Sequence, residues 1–123
     1  MKGILADINA LGQVEALAQH MQAEPWTEFW TGLGLALKRF DNVGLTATSI
    51  DLEIWKTCQI EQLVLVTDNR NHKSPDSLEA TIRQYNQPNS LPVFTIGDFD
   101  KFANSRAYAD RVLQKLYDYL TRI

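Results

Sequence analysis

Leu63-Val64-Leu65-Val66-Thr67-Asp68 is the stretch whose reading decides the fold. An unbroken apolar and β-branched run, with no polar residue on alternate positions, is the pattern of a strand covered on both faces. Such strands sit in parallel sheets with helices on each side, so the segments before and after it are expected to be helical. Upstream, Thr48-Ser49-Ile50-Asp51 reads as a helix start with Thr48 as N-cap, and Ile50, Ile54 and Cys58 line one face with Trp55 beside them. Before that, residues 35–40 read as a buried strand and 26–34 as a short helix carrying Trp26, Phe29, Trp30 and Leu33. Near the N-terminus Ile4-Leu5-Ala6 is a short strand closing at Asp7. Val14, Leu17, Ala18 and Met21 then follow at the i, i+3, i+4, i+7 spacing of a helix face that ends before Pro25.

Downstream, Ser74-Pro75-Asp76 pairs an N-cap with a proline at the first helical position and leads into a helix whose face is Leu78, Ile82 and Tyr85. Residues 92–96 form the next strand, which ends at Gly97-Asp98. Ala109, Val112, Leu113, Leu116 and Leu120 trace a terminal helix from Ser105, with a separate turn over 99–103. The order β-α-(α)-β-α-β-α-β-α, joined by right-handed crossovers, predicts an α/β fold. Its form is a three-layer α/β/α sandwich around a mostly parallel sheet of four to five strands. At 123 residues the chain fits one domain spanning 1–123.

Composition removes several classes of function. With 45% hydrophobic and 22% charged residues the chain is neither disordered nor a coiled coil. Its net charge of −3 supplies no overall positive field, so nucleic-acid binding has to be local or metal-assisted. No run approaches a membrane span, and the short apolar start reaches Asp7 too early for a signal peptide, so a cytoplasmic location away from membranes is expected. The lone Cys58 allows no internal disulfide and reads as a buried structural thiol. His20 and His72 have no zinc-ligand spacing, and Gly32-x-Gly34 lacks the context of a dinucleotide loop.

In open parallel sheets ligands bind outside the carboxyl ends of the strands. Asp7, Asp68 and Asp98 each follow a predicted strand, and Asp51 opens the helix that returns to the central one, so all four are expected at one edge. Each also has a plain structural role available. Aspartate turns and caps well, Asp51 at the third helical position complements the helix dipole, and Asp98 and Asp76 suit helix starts. Clustered carboxylates repel unless a cation neutralises them, and the cation matched to such oxygens is Mg²⁺ or Mn²⁺, which activates water and polarises phosphate. Asn9 and Asn71 either aim these carboxylates or serve as turn residues. Arg70, Lys73 and Arg83 are either phosphate contacts or ordinary surface charge. Trp26, Phe29 and Trp30 either pack on the sheet or face a partner, including a second copy.

Leu5-Ala6-Asp7-Ile8-Asn9, Ser49-Ile50-Asp51-Leu52-Glu53-Ile54-Trp55 and Leu63-Val64-Leu65-Val66-Thr67-Asp68-Asn69-Arg70-Asn71 together resemble the PIN-like domain superfamily, in particular its small single-domain ribonucleases. The resemblance runs through about residues 3–100 and rests on short motifs. It implies Asp7, Asp51 and Asp68 as catalytic metal ligands for Mg²⁺ or Mn²⁺, with Thr67 orienting Asp68 or a water. It implies cleavage of single-stranded or structured RNA, a possible toxin role with a cognate antitoxin protein, and homodimerisation. Asn9, Asn69, Arg70 and Asn71 would then border the substrate. Many family members carry a further acid and an aromatic after the third ligand, where this chain reads Asn69-Arg70-Asn71. Asparagine offers an oxygen without a charge, which leaves Asp98, and after it Asp76, as the source of a fourth carboxylate. The alternative is a catalytically degenerate PIN-like or receiver-like module that binds a protein or nucleic acid; a receiver-like domain would use Asp68 as phosphoacceptor.

Overall fold

The computed structural model of the chain describes residues 1–67 and 78–122. Its elements are β1 (Gly3–Ala6), α1 (Leu11–Gln22), α2 (Thr27–Leu33), β2 (Leu37–Lys38), α3 (Asp51–Glu61), β3 (Leu63–Thr67), α4 (Leu78–Tyr85), β4 (Val93–Thr95), α5 (Phe99–Asn104) and α6 (Arg106–Arg122), with short 3₁₀ turns at Ile8–Ala10 and Phe40–Val43. The four strands form one sheet in the order β2-β1-β3-β4, and every neighbouring pair is parallel. Ile4 pairs with Val64 and Leu5 with Leu65, so the two central strands run in register along their whole shared length.

Alternation along the strands divides the interior in two. Ile4, Ala6, Val64 and Val66 face one side, where they meet Val14, Leu17, Ala18 and Met21 of α1 and Val112, Leu113, Leu116 and Leu120 of α6. Leu5, Leu63 and Leu65 face the other, against Ile54, Trp55 and Cys58 of α3, with Ile82 of α4 at the margin. All of β1 and β3 is buried, as the unbroken apolar run of β3 requires. Gly3 is there because a Cβ at this position would strike the backbone of Ala36. The result is the three-layer α/β arrangement expected, with four parallel strands.

Three local expectations are corrected. Residues 35–40 do not form one strand: only Leu37–Lys38 pairs with β1. Leu35 packs into the core beside α1, whereas Phe40 opens a 3₁₀ turn and packs into the core beside α3. Thr48 does not cap α3. Its hydroxyl pairs with that of Thr46 at 3.0 Å, the helix begins at Asp51, and Ile50 takes the N-cap position. Ile50, expected on the buried face with Ile54 and Cys58, is instead 49% exposed. Ser74-Pro75-Asp76, read as the start of α4, lies outside the described residues.

Candidate functional site at the carboxyl edge of the sheet

Because all strands are parallel, their carboxyl ends share one edge. The connection leaving β1 enters α1 on one face, and the connection leaving β3 leads to α4 on the other. The strand order therefore assigns the ligand crevice of an open α/β sheet to the space between the ends of β1 and β3. Asp7 and Thr67 stand on its two sides.

Asp7 is fixed at that point by four hydrogen bonds. Its backbone N–H donates to the Val66 carbonyl at 3.1 Å, which carries the β1–β3 ladder one step past the strand. Its carbonyl accepts from the Ala10 N–H at 2.9 Å, and its Oδ1 accepts from the Asn9 N–H at 3.3 Å, so it caps the 3₁₀ turn that follows. Its Oδ2 accepts a 2.7 Å bond from the Thr67 hydroxyl. Thr67 has no solvent exposure, and among the described residues only Thr81 is another buried polar side chain. A buried hydroxyl needs a partner, and this one spends its proton on the carboxylate. Asn9 contributes to the aim of Asp7 through its backbone, and its side chain is exposed.

Asp51 is the first residue of α3, whose direction opposite to β3 puts its N-terminus at this same edge. The approach to it is a hydroxyl-rich turn in which the Ser49 Oγ accepts from the Thr46 N–H at 2.9 Å. Asp98 also lies at the edge, beyond β4, and its Oδ1 accepts from the Lys101 N–H at 2.9 Å as the N-cap of α5. With strands about 4.8 Å apart, the end of β4 is about 10 Å from the end of β1, nearer to the end of β3 than to Asp7. Asp68, Asn69, Arg70 and Asn71, together with His72, Lys73 and Asp76, lie outside the described residues. Among the described residues no group of three His, Cys, Asp or Glu side chains could hold a metal ion.

The donor set suits a hard cation. A carboxylate offers about four lone-pair positions, and Asp7 uses two, so it can still face a cation while Thr67 and Asn9 hold its angle. Asp51 brings a second carboxylate to the same edge of the sheet. One further charged residue, which drew no notice in the sequence, stands at this edge of the sheet. Arg39 directly follows β2 and forms a 3.1 Å ion pair with Glu15 of α1, which brings a guanidinium to the β2 side of the edge. Its position immediately after the strand pairing with β1 was the available signal.

Elsewhere the aromatic segment packs on α6: the Trp26 and Tyr117 rings stack at 5.8 Å, and Phe29 meets Tyr117 at 5.2 Å. The Tyr117 hydroxyl donates to the Met21 carbonyl at 2.7 Å. Cys58 is buried, and burial pushes its thiol up to about 12, so it stays protonated and inert at neutral pH. Among the described residues no helix is long and apolar enough to cross a membrane. No family model, curated protein or solved structure matches the chain.

Proposed function

We propose that the protein is a PIN-like, Mg²⁺- or Mn²⁺-dependent ribonuclease whose active site is the crevice between β1 and β3. The observation that carries this reading is the 2.7 Å bond from the buried Thr67 hydroxyl to Asp7 Oδ2 at the point where the chain connections diverge. The bond satisfies the buried Thr67 hydroxyl and at the same time fixes the angle of a carboxylate at the strand end. Asp7, Asp51 and Asp68 would hold the cation, which when bound supplies charge neutralisation and an activated water. Thr67 holds Asp7 at a fixed angle, Asn9 steadies it from the following turn, and Asn69, Arg70 and Asn71 border the RNA. A toxin role with an antitoxin partner belongs to the same reading.

The test is incubation of end-labelled single-stranded RNA with the protein in Mn²⁺, in Mg²⁺ and in EDTA. Cleavage in either metal, its absence in EDTA and its loss in Asp7→Asn and Asp68→Ala support the reading. Intact RNA under all conditions, together with no Mn²⁺-induced thermal shift in the wild type, refutes it. The receiver-like alternative draws on strand order, since residue 68 follows the strand beside the one that ends at Asp7. Treatment with a small phosphodonor and intact-mass measurement decides it, because a phosphoacceptor gains the mass of one phosphoryl group.

A further inference from the structure

The open side of β4 carries a second feature. A groove of about 300 Å³ runs beside Ile96, Gly97, Lys101, Tyr108 and Arg111, and a second of about 490 Å³ continues past Trp55, Ile82 and Tyr119. Both are lined by Phe94, Thr95 and Lys115, so they form one continuous channel along the sheet edge. Among the described residues its lining contains the cations Lys101, Arg111 and Lys115 and no carboxylate, in a chain whose net charge is −3. Arg111 and Lys115 also border a neighbouring hollow lined by Asp118, whose carboxylate pairs with Arg122 at 2.9 Å.

Two basic side chains lie between two tyrosines along this channel. Tyr108, Arg111, Lys115 and Tyr119 follow one another at three- and four-residue steps on one face of α6, spread over about 16 Å of helix. Lys101 Nζ sits 5.2 Å from the Tyr108 ring centre, and Phe94 meets Tyr119 edge to face at 6.0 Å. Tyr119 is 55% exposed, so much of its ring is open to a partner. At its upper end the channel reaches Ile96, whose N–H donates to the Thr67 carbonyl at 2.9 Å, so it opens one strand away from the crevice.

We propose that this channel binds a single-stranded polynucleotide, with Lys101, Arg111 and Lys115 on phosphates and the exposed Tyr119 stacked on a base. The pattern is that of single-strand binding surfaces, where cations track the backbone and ring faces take the bases. An acidic peptide would satisfy the cations but would leave the exposed Tyr119 ring without a flat partner. The role of this channel as the substrate track of the crevice rests on the ribonuclease reading; binding itself does not.

Fluorescence anisotropy of a 5′-fluorescein U12 RNA in EDTA, over a salt series, tests the proposal without any metal. Wild type is expected to bind at low salt. Arg111→Glu/Lys115→Glu should weaken binding at least ten-fold and flatten the log–log salt slope by about 1.4, two phosphate contacts at about 0.7 each. Tyr119→Ala, at an exposed position, should weaken it about five-fold or more with the slope unchanged, as loss of a stacked base requires. Lys2→Glu/Lys38→Glu, the same charge change with Lys38 on β2 at the opposite edge of the sheet, should bind within a factor of about three of wild type. Absence of wild-type binding, affinity within two-fold of wild type in the Arg111/Lys115 and Tyr119 variants, or displacement of RNA by polyglutamate as readily as by unlabelled RNA overturns it. RNA that binds the channel yet stays intact in Mn²⁺ refutes the ribonuclease reading alone, and cleavage indifferent to these substitutions refutes the channel alone.

Discussion

Replacing Thr67 by valine exchanges one hydroxyl for one methyl in a strand where the β-branched shape is kept, so packing of β3 is preserved and the change isolates polarity. The lost bond is charge-assisted and 2.7 Å long. Bonds to charged groups contribute about 1.5–3 kcal/mol, and because Asp7 is only half-buried, water recovers part of this, leaving about 1–2 kcal/mol. A single variant also loses whatever else the hydroxyl touches, so the pair is measured by a double-mutant cycle of Thr67→Val and Asp7→Ala in urea. The coupling energy is expected at about 1–2 kcal/mol, with unchanged m-values. Additivity within about 0.5 kcal/mol would show that the hydroxyl and carboxylate do not act as a unit, and the reasoning that places an aimed carboxylate in the crevice would fail.

Gly3→Ala should cost at least about 2 kcal/mol in urea denaturation, because its Cβ would meet backbone of Ala36 that has no rotamer with which to yield. Gln62 closes α3 in the left-handed region at φ 59°, so Gln62→Gly should raise stability by about 0.5–1 kcal/mol, read as an upward shift in Tm. Native Cys58 keeps its proton up to about 12 against an ordinary 9.0, so the native state binds more protons than the unfolded chain between these values. The Cys58 contribution to stability is fully present below pH 9 and is lost by about 1.4 kcal/mol per pH unit at most between pH 9 and 12. Tyr117, raised from 10.0 to about 12 by burial, adds a second fall in the same direction above pH 10, and Cys58→Ala should delay the onset from pH 9 to pH 10.

The parts of the fold legible in the sequence are those whose burial has a single cause. β3 was readable at both ends because every residue from Leu63 to Thr67 faces one core or the other. Val14, Leu17, Ala18 and Met21 were readable because one stripe meets one sheet face. Residues 35–40 misled because Leu35 and Phe40 are buried on opposite sides of the sheet, and a continuous apolar run does not reveal which surface covers each member. The start of α3 misled because Thr48 had a competing hydroxyl partner in Thr46. The shared edge for Asp7, Asp51 and Asp98 followed from strand direction alone. The Thr67–Asp7 bond was not legible, since it depends on strands sixty residues apart being in register. The channel beside β4 was equally hidden, because its cations come from α5 and α6 and gather only on folding.

The sheet order has a consequence for synthesis. β1 lies between β2 and β3, yet its partners are made some thirty and sixty residues later. At about 5–20 residues per second, the stretch that will be the most enclosed waits about 3–12 seconds for β3 to be translated. During that interval Ile4 and Leu5 have no permanent cover, and α1 alone can shield only one of their two faces. The nascent chain passes through a period in which its future interior is the surface most open to chaperones or to neighbouring chains. The crevice is correspondingly a late product, since no fragment ending before residue 67 contains both of its walls.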